Sequence, residues 1–148
     1  MARKSDERKP RLKSANGALR TVILTTPMIH VVDDDASIRK SLSRLIKAAG
    51  FNVRCYSSAM EFLTEPPVEK GACLVLDISM PGMSGLELVS HLEASGSELP
   101  VILITAHEDR YDKFTKSPNA IACLYKPLHE KELMMMIEKG MSKWKNLS

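Results

Sequence analysis

The stretch Leu74-Val75-Leu76-Asp77-Ile78-Ser79-Met80-Pro81-Gly82 constrains the fold more than any other. Three successive apolar residues read as a strand buried on both faces. Such a strand calls for a parallel sheet with helices on each side. An acid follows without a break, and Pro81-Gly82 then ends the strand and opens a loop. Asp77 therefore stands at the carboxyl edge of a central strand, where open α/β sheets hold their ligands. Taken alone, it could equally cap the next helix or turn. The other strand ends decide between these.

Similar runs recur along the chain. Ile29-His30-Val31-Val32 is the first core strand, stopped by Asp33-Asp34-Asp35. Ser37 to Ala49 carries Ile38, Leu42, Leu45, Ile46 and Ala49 at three- and four-residue spacing, which predicts an amphipathic helix ended by Gly50. Its Arg39, Lys40, Arg44 and Lys47 read as a solvated face. Phe51 to Tyr56 alternates and reads as a second strand nearer an edge. Ser58 and Glu61 form the pattern of a capping box before a short helix through Phe62-Leu63. Ser84 and Glu87 repeat that signal before a helix bearing Leu86, Val89 and Leu92.

Leu99 to Ile104 is a fourth strand ending at Thr105-Ala106-His107. Glu108 to Pro118 is weakly patterned, with Tyr111 and Phe114 hinting at a poor helix. Ala120 to Tyr125 is a fifth strand closed by Lys126-Pro127. Glu130 to Lys139 is the last helix, which Gly140 bends or ends. Its Met134-Met135-Met136 run reads as soft packing. Trp144 lies beyond, and the sequence does not say whether it docks. Five strands alternating with five helices predict an α/β, doubly wound parallel sheet with right-handed crossovers.

Four of the five strands end in a reactive residue: Asp33-Asp34, Asp77, Thr105 and Lys126. In a parallel sheet these ends share one edge. Three neighbouring acids repel one another, by about 1 kcal/mol or more per close pair, and a cation relieves this. The bland account is that Asp35 caps the next helix while Asp33 and Asp34 are solvated. Oxygen ligands of this kind suit a hard cation, and Mg²⁺ completes its shell with water and phosphate. An Asp can serve as nucleophile in aspartyl-phosphate chemistry, while a Lys and a cation stabilise a moving phosphoryl group. Thr105 can donate a hydrogen bond to that group. The set fits one task, the receipt of a phosphoryl group by Asp77.

Charge and cysteine usage narrow the remaining classes. Residues 1–27 hold seven basic residues against Asp6 and Glu7. That surplus of five leaves the rest at −2 within the chain's net +3. Residues 1–27 read as a disordered basic arm, with Val22-Ile23-Leu24 a weak candidate for an extra strand and Met28 a candidate true start. Contact of the arm with nucleic acid or acidic lipid is the lesser alternative. No apolar run is long enough to span a membrane. The start has neither the apolar core nor the cleavage site of a secretory signal. Cys55, Cys73 and Cys123 lie in or beside apolar runs and read as buried thiols in a reducing cytoplasm.

The ordered set Val31-Val32-Asp33-Asp34-Asp35, Leu76 to Gly85, Ile104-Thr105-Ala106-His107 and Tyr125-Lys126-Pro127 resembles the signatures of bacterial two-component response-regulator receiver domains, nearest to the FixJ-type branch. The resemblance covers about Met28 to Gly140. It implies a flavodoxin-like, CheY-like (βα)5 fold with strand order 2-1-3-4-5. A receiver over 28–141 would be followed by a tail over 142–148. Asp77 would accept phosphate from a phosphohistidine on a sensor histidine kinase or phosphotransfer protein. Asp33, Asp34, Asp77 and the backbone carbonyl of Ser79 would hold Mg²⁺. Lys126 would contact the phosphoryl oxygens, across a cis Lys126-Pro127 bond. Thr105 would follow the phosphoryl group inward. Ser79 and His107 would tune the lifetime of the phosphate.

Two departures stand out against that family. Its usual aromatic three residues before the Lys is here Cys123, and the usual Ala-Gly-Ala before strand 5 is absent, the segment being about one residue short. Both affect readout more than phosphorylation. Tyr125 is read onto the opposite face of the strand from Cys123.

A phosphohydrolase would want a second Asp two residues after the nucleophile, where Ser79 stands. A flavin-nucleotide binder would want a phosphate loop after strand 1, where three acids repel phosphate. A degenerate receiver used only for docking, or a truncated piece of a DNA-binding regulator, remains as an alternative. The expectation is a cytoplasmic phosphoacceptor without an output domain, catalysing only its own phosphorylation and dephosphorylation. It would act on an unidentified downstream protein, as a phosphate sink or through a phosphorylation-dependent homodimer. Neither membrane nor nucleic acid is expected as a partner.

Overall fold

Both faces of the Leu74–Leu76 run need cover, and the fold supplies it. A computed structural model describes residues 27–65, 70–106 and 117–145. Five strands, β1 (Met28–Val32), β2 (Asn52–Tyr56), β3 (Ala72–Asp77), β4 (Val101–Thr105) and β5 (Ala120–Tyr125), form one sheet in the order β2-β1-β3-β4-β5. Every pairing is parallel. Helices α1 (Ala36–Ala48), α2 (Ala59–Leu63), α3 (Gly85–Ala94) and α4 (Glu130–Lys145) complete the described elements. The flavodoxin-like strand order is therefore as expected, with β2 at an edge. The basic arm, its weak Val22-Ile23-Leu24 run, the segment 108–116 and His107 lie outside the described residues.

The core divides as β-strand alternation requires. Val32, Leu74, Leu76, Val101 and Leu103 face one layer, where Phe62 of α2 and Leu88, Val89 and Leu92 of α3 cover them. Ile29, Val31, Cys73, Val75, Ile102 and Ile104 face the other, beneath Leu42 and Ile46 of α1 and Leu133 and Ile137 of α4. All six residues of β3 are buried. Each large aliphatic side chain so enclosed contributes about 1.5–3 kcal/mol relative to exposure.

Local signals set the helix starts. The Asp35 carboxylate accepts from the Ser37 and Ile38 N–H groups at 2.8 and 3.3 Å, which caps α1 as predicted. Ser84 and Glu87 make a full capping box on α3. The Ser58 signal is fulfilled differently. Ser58 Oγ accepts from the Glu61 N–H, but the Glu61 carboxylate reaches one residue further back, to the Ser57 N–H and hydroxyl at 2.7 and 2.9 Å. A second serine before the cap offers two donors in place of one.

Other expectations are corrected at the C-terminal end and on β5. The last helix runs through Gly140 to Lys145. A Cβ at Gly140 would lie 3.0 Å from Ile121 Cδ1 and 3.1 Å from Cys73 Sγ, so the glycine lets the helix lie close on the sheet. Trp144 docks, its Nε1 donating to the Ala72 carbonyl at 2.7 Å. Of the thiols, Cys73 is buried, whereas Cys55 and Cys123 are half-buried. Tyr125 does not oppose Cys123. Leu103 pairs with Cys123 and Thr105 with Tyr125, so alternation puts all four on one face.

Candidate functional site

Parallel pairing carries the ends of β1, β3, β4 and β5 to one edge. Val32 pairs with Leu76, Asp77 with Ile104 and Thr105 with Tyr125. Asp33 and Asp34 follow β1, Asp77 closes β3, Thr105 closes β4 and Lys126 follows β5. One carboxylate oxygen from each of Asp33, Asp34 and Asp77 lies within 4.8 Å of the others. Lys126 Nζ stands 3.8 Å from Asp33 Oδ2 and 3.7 Å from Asp77 Oδ2. Thr105 is fully buried, and its backbone carbonyl accepts from the Lys126 N–H at 2.9 Å. The Lys126-Pro127 peptide is cis.

The three acids differ in setting. Asp33 and Asp77 are 1% and 4% exposed, while Asp34 is open to solvent. Burial pushes the Asp33 and Asp77 carboxyls above the ordinary carboxylate range. Backbone donors and the Lys126 ammonium oppose this, and neighbouring acids reinforce it. The Ser79 N–H donates to Asp77 Oδ1 at 3.2 Å, and the Asp35 N–H to Asp33 Oδ1 at 2.8 Å. Asp33 Oδ2 is buried without a hydrogen-bond partner. Its nearest cation, the Lys126 ammonium at 3.8 Å, is too far for a hydrogen bond, so the buried oxygen still lacks a close partner, which is costly. The donor set is thus all oxygen, crowded and incompletely satisfied, which fits a hard divalent ion.

The loop after β3 is held from behind. The Ile78 N–H donates to the Ile104 carbonyl, and the Gly85 N–H to the Ile78 carbonyl, both at 2.9 Å. A Cβ on Gly85 would stand 2.6 Å from the Asp77 carbonyl oxygen and 2.7 Å from Ile78 Cα. No side chain fits there, so α3 presses its first residue onto the backbone of Asp77.

Two residues near this edge were not singled out by sequence patterns. Arg39 is not simply part of a solvated face, because its Nη1 donates to the Asp33 carbonyl at 2.7 Å. His30, two residues below Val32, is buried, with Nδ1 3.0 Å from the Tyr56 hydroxyl and Phe62 edge-on to its ring. Burial, aided by Arg54, lowers its pKa to about 4. Neither contact follows a sequence period, and only the apolar run around His30 gave a hint of its burial.

The chain is similar to known proteins over most of its length. The response regulator receiver domain family matches residues 29–138. The transcriptional regulatory protein FixJ of Bradyrhizobium diazoefficiens is 36% identical over 113 residues, covering 76% of this chain and 55% of FixJ. The structure of the response regulator StyR is 40% identical with a TM-score of 0.74, covering 82% of this chain and 62% of that one. The response regulator protein TrrA of Thermotoga maritima, crystallised in complex with Mg²⁺-BeF, is 27% identical with a TM-score of 0.69, covering 77% of this chain and 98% of that one. The chain spans about half the length of the curated relatives it matches.

Proposed function

The chain belongs to the response regulator receiver domain family, on its FixJ branch, and from that premise we propose that Asp77 accepts a phosphoryl group from a phosphohistidine on a sensor histidine kinase or phosphotransfer protein. The convergence of Asp33, Asp34 and Asp77 with Lys126 carries the reading. This is the self-directed chemistry of a receiver, not turnover of an external substrate.

Asp33, Asp34 and Asp77, with the Ser79 backbone carbonyl, would hold Mg²⁺, and the unsatisfied Asp33 Oδ2 supports that assignment. Bound there, the ion would neutralise charge developing on the phosphoryl oxygens. The chain's own groups do the rest. An Asp77 carboxylate oxygen attacks phosphorus, the P–O bond forms as the P–N bond breaks, and the imidazole departs. Nucleophilic attack needs the ionised Asp77, which burial disfavours, so the Lys126 ammonium at 3.7 Å helps keep it charged. Lys126 can then bond a phosphoryl oxygen, and the Thr105 hydroxyl at the end of the next strand can turn toward another. Hydrolysis reverses the charge flow, with water attacking phosphorus and Asp77 leaving as carboxylate.

The proposed setting is cytoplasmic. Among the described residues no helix is long and apolar enough to cross a membrane. The proposed readout is a change of partner binding, either to a downstream protein or to a second phosphorylated copy. Incubation with acetyl phosphate and Mg²⁺, followed by intact mass, tests the core claim. The expected result is one added phosphoryl group, which does not form when the metal is chelated beforehand and is absent in Asp77→Asn. A protein that stays unmodified under these conditions would act by docking alone.

A further inference from the structure

Arg39 is a cation of α1 that the phosphoryl chemistry leaves unused, yet it reaches the site. Its Nη1 crosses the β1–α1 turn to the Asp33 carbonyl, six residues back in sequence, at 2.7 Å. Other atoms of Asp33 are already fixed. Its N–H donates to the Tyr56 carbonyl at 3.2 Å, and its Oδ1 accepts from the Asp35 N–H at 2.8 Å. The carbonyl belongs to the planar peptide that joins Asp33 to Asp34. The tilt of that plane sets the direction in which Asp34 leaves the sheet edge. Asp34 is the exposed member of the trio and gains nothing from burial to hold it in place.

We propose that Arg39 is a positioning residue for the cation site: by holding the Asp33 carbonyl it fixes the Asp33–Asp34 peptide so that both carboxylates converge with Asp77. The inference rests on the reading of that cluster as a divalent-cation site. Charge and positioning predict effects of opposite sign, which makes the proposal sharp. A guanidinium bonded to the backbone of one ligand residue repels a divalent cation at that site, so an Arg39 acting only as a charge would weaken binding, and its removal would tighten it. A positioning Arg39 does the reverse, because loss of a group that orients a metal ligand typically costs about 10–100-fold in affinity.

Mn²⁺, a hard cation visible to electron paramagnetic resonance, is the probe, titrated into the full-length protein. In Arg39→Met the Mn²⁺ dissociation constant is expected to rise by about tenfold, while the thermal midpoint stays near that of the unaltered chain. Arg39→Lys keeps the charge and a donor on a shorter stem, and its dissociation constant falls between the two. Unchanged or tighter binding in Arg39→Met overturns the proposal. Where that variant does not fold, Arg39→Lys decides alone, since charge without positioning leaves its affinity equal to that of the parent. A parent chain that binds no Mn²⁺, equal in this to Asp34→Asn, overturns the cation-site reading and this inference with it. Failure confined to the Arg39 variants leaves that reading standing.

Discussion

The two ends of the sheet solve opposite problems. At the carboxyl edge, acids are crowded, two of them buried, and one oxygen is left without a donor. At the amino edge, side chains reach across to close the backbone. Asn119 Nδ2 donates to the Ser97 and Leu99 carbonyls at 2.8 and 3.1 Å, and the Val101 N–H returns to the Asn119 carbonyl at 2.8 Å. Trp144 bonds the Ala72 carbonyl, and the Lys143 ammonium bonds that of Glu98. At the amino edge these backbone carbonyls are bonded. The other keeps an electrostatic deficit that a ligand can relieve. The contrast implies that reactivity is confined to one rim, so that substitutions at the amino edge move stability alone, whereas those at the carboxyl edge move both.

The largest effect is expected where the reactive edge is tightest. Gly85→Ala places a methyl 2.6 Å from the Asp77 carbonyl, against backbone that cannot yield cheaply. A loss of about 3 kcal/mol in urea unfolding is expected, as for other overpacked sites. Gly140→Ala meets only side-chain ends of Ile121, Cys73 and Pro100, from 3.0 Å outward, and should cost less than half as much. Equal losses would dissolve the distinction between the two rims.

Next come two substitutions of opposite sign. Asn119→Ala strands the Ser97 and Leu99 carbonyls and should cost about 2 kcal/mol while leaving phosphorylation of Asp77 intact. Asp77→Asn removes one of the crowded charges but keeps an oxygen for the Ser79 N–H. It should gain about 1 kcal/mol and abolish phosphorylation. Paired denaturation and phosphorylation assays check both.

The smallest effect is a pH dependence. His30 has a folded-state pKa of about 4 against 6.5 for the free side chain, so between those values the unfolded chain binds more protons. Stability therefore rises with pH across that window and is complete above the unfolded value. Asp33 and Asp77, with raised pKa values, tilt the curve the other way. The difference between the parent and His30→Gln isolates the histidine, and it should widen as pH rises from 4 to 6.5. A constant difference would remove His30 from the acid response.

Much of this architecture was legible in the chain because its signals are local or periodic. Uninterrupted apolar runs give the central strands, and the residue that follows each run gives the site. Asp35 and Ser84 cap helices as their spacing predicts. Three contacts that sequence patterns do not show share a cause. Arg39, Asn119 and Trp144 each bond a backbone carbonyl whose position exists only after folding, and no sequence period encodes such a bond. Gly140 resembles a helix stop because glycine costs helix stability, by about 1 kcal/mol, but close approach to the sheet offsets that cost. Tyr125 stands two residues from Cys123 and so shares its face of the strand, contrary to the expectation of opposite faces.

Trp144 is the chain's single tryptophan, and it is anchored at the first residue of the strand whose last residue is Asp77. The indole therefore sits roughly 17 Å from the phosphoacceptor along that strand. Its emission is a built-in optical gauge of whether the terminal helix is seated, spaced away from direct quenching by a paramagnetic ion at the far rim.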